Sequence, residues 1–320
     1  MTAQYLSWLA LWGAVALYAI AMVASSIHVA QVADAKVAAR AKARAAVAAG
    51  TQATGDAKPA RASAGQEPQV RVRSRAAGIA ASTTLVGAVL NGVGVVARGV
   101  EAGHAPWSTM YEYTITGTFV ATVVLLLVQR KRDVAYLVPG VTGFSTIALG
   151  IAMTVLYEAS TGLRPALQSF WLVVHVSIAI IATGVLIVGA VATVLQLMRD
   201  YRDGGTDWLQ RLRWLEATPS PAKLEALAFR LHAVGFVLWT FTVMAGAVWA
   251  EHSWGRYWGW DPKEVWSFVI WVIYAAYLHA RTTQGWAGRR SAVLALIGFV
   301  ALIMNFTVVN VYFQGMHTYA

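Results

Sequence analysis

The chain has 320 residues, of which 58% are hydrophobic and 12% charged, and a mean hydropathy of +0.56; a soluble domain carries about 25% charged residues, so this composition belongs to an integral membrane protein. The net charge of +10 reads first as basic cytoplasmic loops and not as a nucleic-acid footprint. The absence of cysteine excludes disulfides, Cys-ligated zinc, iron–sulfur clusters and thiol chemistry by this chain, leaving His and carboxylates as metal ligands.

A spanning helix needs roughly 17–25 apolar residues. Hydropathy predicts eight, so the expected fold class is all-α, a polytopic transmembrane helix bundle. The first span covers about 5–25 and lacks the basic start of a signal peptide. Residues 26–78 differ in composition and hold nine Lys or Arg. Within them 33–49 are Ala-rich, with Lys36, Arg40 and Arg44 on one helical stripe and Gly50 as a stop. Residues 51–78 mix Gly, Pro, Ser and Gln and read as disordered. The whole of 26–78 is therefore expected to be a basic, largely disordered cytoplasmic linker, either a solvated tether or a contact for anionic lipid headgroups. Further spans follow at about 79–97, 112–129, 135–157, 169–198, 231–250, 265–280 and 292–313, making 79–320 one membrane domain. Pro139 predicts a kink in the fourth span.

Charge sets the orientation. Of the 25 basic residues, 21 fall in alternate connections, and only Arg98, Arg164, Arg256 and Lys263 lie on the other side. The positive-inside rule then places both termini outside.

Six of the 14 tryptophans fall between residues 249 and 271, around the string WAEHSWGRYWGWDPKEVW. An interfacial belt places one or two tryptophans at a helix end. Here Trp249, Trp254, Trp258 and Trp260 gather in or beside one external loop. Flat aromatic faces suit a large planar ligand, and Gly255 and Gly259 would let it approach the backbone. Asp261-Pro262-Lys263-Glu264 reads as a helix start: Asp261 as N-cap, Pro262 first, Glu264 third. The helix dipole there favours an anionic group such as a carboxylate.

The seven histidines sort by depth. His175 lies about 9 Å inside the outer surface, with Trp171 one turn earlier on the same face. His317 sits in the external tail, and His104 and His252 are external too. His279 lies about 27 Å along a helix from Asp261, near the inner surface. His28 and His232 read as inner interfacial histidines touching water. His252, beside Glu251, reads as an ordinary loop residue. His175 and His317 permit two readings: imidazoles approaching opposite faces of a planar iron chelate, or unrelated structural histidines.

The string WGRYWGWDPKEVWSFVIWVIYAAYLHAR at 254–281 resembles the tryptophan-rich WWD haem-handling signature of the CcsA (ResC) family of cytochrome c biogenesis proteins, some of which are labelled CcsB. GHAPWSTMYE at 103–112, FWLVVHV at 170–176, GFVLWTFTVMAGAVWA at 235–250 and the terminal HTY also fit, so the resemblance covers about 79–320. It implies a multi-pass plasma-membrane protein of cytochrome c maturation. Haem b is accepted from the cytoplasmic side, carried to an external Trp-rich site, and presented to the CxxCH segment of apocytochrome c, where thioether bonds form. A ResB-type membrane subunit is the implied partner, and no nucleic acid is expected. By motif, His175 and His317 resemble the two external axial ligands. Trp254, Trp258, Trp260, Asp261 and Trp266 resemble the haem platform. His279 resembles an intramembrane ligand near the loading side, its counterpart lying on the partner. Thr109 departs from the asparagine of many relatives, and HTY from a frequent HSY. Two other classes fit less well. A cytochrome b-type electron carrier wants paired histidines at one depth, whereas His175 and His279 lie at opposite depths. A transporter wants paired ionisable residues near the midplane, and the span map has none.

Overall fold

A computed structural model describes residues 2–53, 72–160 and 167–317. All regular elements among them are helical: α1 (Ala3–Ala53), α2 (Arg75–Ala102), α3 (Met110–Lys131), α4 (Val138–Thr154), α5 (Phe170–Asp203), the short α6 (Asp207–Gln210), α7 (Pro221–Trp254), α8 (Pro262–Thr282), α9 (Arg289–Phe306) and α10 (Val308–Tyr312). Two 3₁₀ turns, Ala135–Leu137 and Arg213–Ala217, lie in the connections.

Seven of the described helices are long and apolar enough to cross a membrane: α1, α2, α3, α4 with its leading turn, α5, α7, and α9 continued by α10. α8 has 21 residues, about 31 Å at 1.5 Å per residue, but its Trp, Tyr and end charges dilute its hydropathy. It still crosses the same thickness. In its first turn Lys263 Nζ donates to the Asn305 carbonyl at the end of α9 at 2.9 Å. In its last turn Arg281 pairs with Glu225, at the start of α7, at 2.7 Å. The eight expected spans are thus eight helices. Several ends are self-capped, with Ser74, Thr109 and Ser169 accepting backbone N–H groups at α2, α3 and α5. Pro139 falls in the first turn of α4, where its missing N–H costs nothing, so it begins the helix and does not kink a span.

α1 to α4 form one group, and α5 with α7, α8 and α9 a second; α3 packs on α5 between them. Small residues let α1 and α2 approach closely: Gly94 faces Leu11, Gly87 faces Tyr18, and Ser7 Oγ donates to the Gly94 carbonyl at 2.8 Å.

α1 departs from expectation. It continues past residue 25 to Ala53 as one helix, through half of the expected linker. No Gly or Pro interrupts residues 14–49, and the alanines favour helix. The extension also has a docking partner. Lys36 Nζ donates to the Ala217 carbonyl at 2.9 Å, Arg40 pairs with Glu216 at 2.6 Å, and Val29 and Ala33 pack on Ala217. Residues 54–71, the rest of the expected disordered stretch, lie outside the described residues, and α2 starts at Arg75, before the expected 79.

Two faces result. A tail face gathers the start of α1, the 103–109 loop, the 255–261 loop and His317; Gln4, for example, donates to the Tyr157 hydroxyl at 3.0 Å. The basic face gathers the α1 extension and the connections near 132–137, 204–220 and 283–288. The two described ends of the chain therefore share the face opposite the basic connections.

Two buried polar sites brace this frame. Near the tail face Arg98 and Glu112 form an ion pair at 2.9 Å with side chains 2% and 1% exposed. The second Glu112 oxygen accepts Ser108 N–H at 2.9 Å and its hydroxyl at 2.7 Å, which pins the loop before α3. His232, expected at a watery interface, is fully buried. α7 starts well before the expected 231, so His232 lies inside the packed bundle between Tyr274 and Tyr277, its Nε2 at 2.9 Å from Thr193 Oγ1.

Glu112→Ala strands the buried Arg98 charge with weaker partners, and breaking such a pair costs about 3–5 kcal/mol; a denaturant melt of the detergent-solubilised protein should show that loss. On the basic face, burial works to raise the Glu216 carboxyl, but Arg202, Arg199 and Arg40 outweigh it and hold it below its ordinary 4.5. A depressed carboxyl contributes stability above its unfolded value and loses it as pH falls through the folded one. Hydrogen-exchange protection of residues 30–46 should therefore fall as pH drops below the usual carboxylate range, and Glu216→Gln should remove this acid-dependent increment.

Candidate functional site

A cavity of about 270 Å³ opens toward the tail face. Its walls come from the loop before α3, from α3, α5, α7, α8 and α9, and from His317. Inward it reaches Thr118 and Ile187, the latter about 18 Å further along α5 than His175. Small residues at Gly117, Ala148, Ala179 and Gly246 leave this space.

His175 enters from α5 and is oriented by one face of α7. Its Nδ1–H donates to the Thr242 carbonyl at 2.9 Å. Its ring lies against Gly246, where a Cβ would stand 2.7 Å from Cε1. Beyond that, the ring stacks on Trp249 at 5.9 Å and 5° between planes. Thr242, Gly246 and Trp249 follow at i, i+4 and i+7, one helical stripe. Because a carbonyl can only accept, Nδ1 carries the proton and Nε2 keeps its lone pair.

His317 enters from the segment after α10. Its Nδ1–H donates to Asp261 Oδ2 at 2.7 Å, which again leaves Nε2 as the free nitrogen. Its ring meets Trp254 at 4.8 Å and Trp249 at 5.4 Å, both edge-on. Asp261 also caps α8, accepting Lys263 N–H at 3.2 Å, and it accepts Met316 N–H at 2.6 Å. Glu264 completes the capping box by accepting Asp261 N–H at 3.0 Å, and takes Gly259 N–H at 2.8 Å as well. Burial would raise the Asp261 carboxyl, but the His317, Met316 and Lys263 donors hold it below the usual carboxylate range.

The remaining expected residues divide. Trp258 lines the cavity. Trp260 packs edge-on against it at 5.9 Å but is 73% exposed, at the rim, with a left-handed φ of 59°. Trp266 packs instead into the hydrophobic cluster of α7, α8 and α9. His279 is exposed in the last turn of α8, at the basic end. The structure thus brings His175, His317, Trp254, Trp258 and Asp261 together and leaves Trp266 and His279 elsewhere.

The two glycines of the loop serve local geometry. Gly255 ends α7 with φ 70°, and the Arg256 guanidinium folds over Gly259 where a Cβ would otherwise sit. Lys263 is the cation that lines the cavity. His104 turns to the Ala105 carbonyl at 3.0 Å, and His252, in the last turn of α7, sits 3.1 Å from Glu251. The sequence reading missed the part played by Thr242, Gly246 and Trp249. Their spacing on one stripe was legible, but nothing local says that His175 faces it. Among the described residues no group of three or more His, Asp or Glu is preassembled as a metal site. Two imidazoles for the axial positions of a chelated iron do not need one.

A family model described as "Cytochrome C assembly protein" matches residues 107–317, a segment that holds both histidines of the cavity and the tryptophan loop. A protein of Prochlorococcus marinus named "Cytochrome c biogenesis protein CcsA" is 33% identical over 254 residues, covering 72% of this chain and 80% of that protein. Its namesake from Gloeobacter violaceus is 33% identical over 278 residues, covering 70% and 81%. Among solved structures, "Cytochrome c Heme Lyase CcmF" superposes with a TM-score of 0.64 at 15% identity over 96% of this chain, a likeness of fold in which this chain spans about half (47%) of the larger one. With a match across two thirds of its length and relatives at this identity, this multi-pass membrane protein belongs to the cytochrome c assembly protein family.

Proposed function

We propose that the protein handles haem b as cargo in cytochrome c maturation, holding it in the cavity between His175 and His317 and presenting it to the CxxCH segment of apocytochrome c. The observation that carries this reading is the pair of histidines on one cavity, each with Nδ1 engaged and Nε2 free. Imidazole Nε2 atoms supplied from opposite sides of a planar ring fill both axial positions of its iron and limit access of oxygen or water. The aromatic wall of Trp249 and Trp258, with Trp254 packed against Trp249 and His317, suits the porphyrin faces. Lys263 and the N-terminal dipole of α8 favour the propionates.

The positive-inside rule assigns the basic face to the cytoplasm and the cavity to the external side of the plasma membrane. Haem is made in the cytoplasm, so it has to enter from the basic end. His279, exposed on α8 at that end, suits a loading ligand whose counterpart comes from a ResB-type subunit packed against this surface. The thiols for thioether formation come from the CxxCH segment, because this chain has no cysteine.

Protein purified with its partner should carry low-spin, bis-histidine haem, and His175→Ala and His317→Ala should each abolish that signature in the absorption spectrum. Unchanged haem content and ligation in both variants would falsify the assignment. In His279→Ala little haem should reach the cavity; normal loading would argue against uptake through the basic half.

A further inference from the structure

We infer that the two histidines are unequal: His175 is the fixed axial ligand, and His317 is the exchangeable one, kept in place by Asp261 as a positioning residue. This rests on the haem reading above.

The contrast lies in what each imidazole is attached to. His175 sits inside α5 and leans on α7, two helices of 34 residues each that pack along their lengths. Its Nδ1 partner is a backbone carbonyl, at Thr242, which cannot turn away without moving α7. Gly246 lets the ring touch the backbone, and Trp249, 1% exposed, closes the far side. Releasing His175 from an iron would require two helices to separate.

His317 is not part of a helix, although its ring rests edge-on against Trp249 and Trp254 of α7. α10 ends at Tyr312, and Phe313 is extended, so a non-helical segment carries the imidazole. Asp261 grips that segment with both oxygens: Oδ1 takes Met316 N–H and Oδ2 takes His317 Nδ1–H. Oδ2 also accepts Lys263 N–H, so the carboxylate keeps a partner and α8 stays capped when His317 leaves. The position vacated is at the mouth, beside Trp258 and the loop before α3. An imidazole arriving on an external peptide can reach the iron there, and it cannot reach the side walled by α5 and α7.

Carbon monoxide tests this, because it binds ferrous haem only after an axial histidine dissociates, and its binding rate in stopped flow reads that step. The full-length protein, loaded with haem and reduced with dithionite, is compared with three variants. Asp261→Asn keeps a capping oxygen but loses the charge-assisted bond to His317, and should bind carbon monoxide about tenfold faster at similar haem content. Glu264→Gln disturbs the capping box but spares the Asp261–His317 bond, and should leave the rate within about twofold of wild type. Gly246→Ala crowds His175 and should lower haem content without accelerating the haem that remains. An unchanged rate in Asp261→Asn overturns the proposal. So does an equal acceleration in Glu264→Gln, which would place control in the helix start, or a larger one in Gly246→Ala. If Asp261→Asn does not fold, the alanine variants decide: His317→Ala should retain five-coordinate haem and His175→Ala should lose it, and the reverse overturns the proposal. A wild-type spectrum indifferent to both alanine changes refutes the haem reading itself, and this inference with it.

Discussion

The carboxylate of Asp261 joins two parts of the chain that lie more than fifty residues apart. On one side it closes the first turn of α8, whose leading N–H groups would otherwise be orphaned at the membrane boundary. On the other it fixes Met316 and His317, which lie beyond the end of α10. Burial of the carboxylate, with its side chain 4% exposed, raises the cost of leaving any of these bonds unmade. The start of α8, the edge of the cavity and the position of the tail are therefore one structural decision. Glu264 extends that decision to the preceding loop through Gly259 N–H, so that the tryptophan loop is shaped by the same capping box.

The opposite wall follows a different principle. His175 is oriented by a backbone carbonyl and a glycine surface on α7, and not by a carboxylate as His317 is. Helices in a bilayer gain little from apolar contact alone, so close backbone approach and interhelical hydrogen bonds carry the specificity. The same device recurs at Gly189, which lies against His232, and at Gly298, which lies against Tyr274. At Gly246 it leaves an imidazole nitrogen facing a cavity, whereas at Gly189 the imidazole is sealed inside the bundle. One packing rule thus yields a site in one place and a structural contact in another, and the difference is whether neighbouring small residues leave space.

The remaining helices hold these walls at a constant separation. The Arg98–Glu112 pair and the Ser108 contacts keep the loop before α3 over the cavity mouth. At the other end, the extension of α1 binds the connection between α5 and α7 through Glu216 and its arginines. α1 and α2 lie outside the segment matched by the family model, whereas every wall of the cavity lies within it, so the bracing ties the matched segment to the helices that precede it.

Much of this was legible from residue order alone. Apolar runs of the right length gave eight helices, the asymmetry of basic residues separated two faces, and Asp261-Pro262-Lys263-Glu264 marked where α8 begins. These are local signals: length, charge and capping act within a few residues or a single helix. Local signals failed where a distant partner decided the outcome. The α1 extension is helical as far as Ala53, and its basic stripe meets Glu216, 176 residues after Arg40. His232 is buried because α7 begins early and neighbouring helices cover it, and Trp266 turns into the core while Trp258 turns to the cavity. Composition and spacing determined that this is a helical membrane protein with a tryptophan-rich end and histidines at two depths. Only the tertiary structure decided which histidines share a cavity, since that depends on how each helix is rotated about its axis, and rotation is set by packing against neighbours and not by the helix's own sequence.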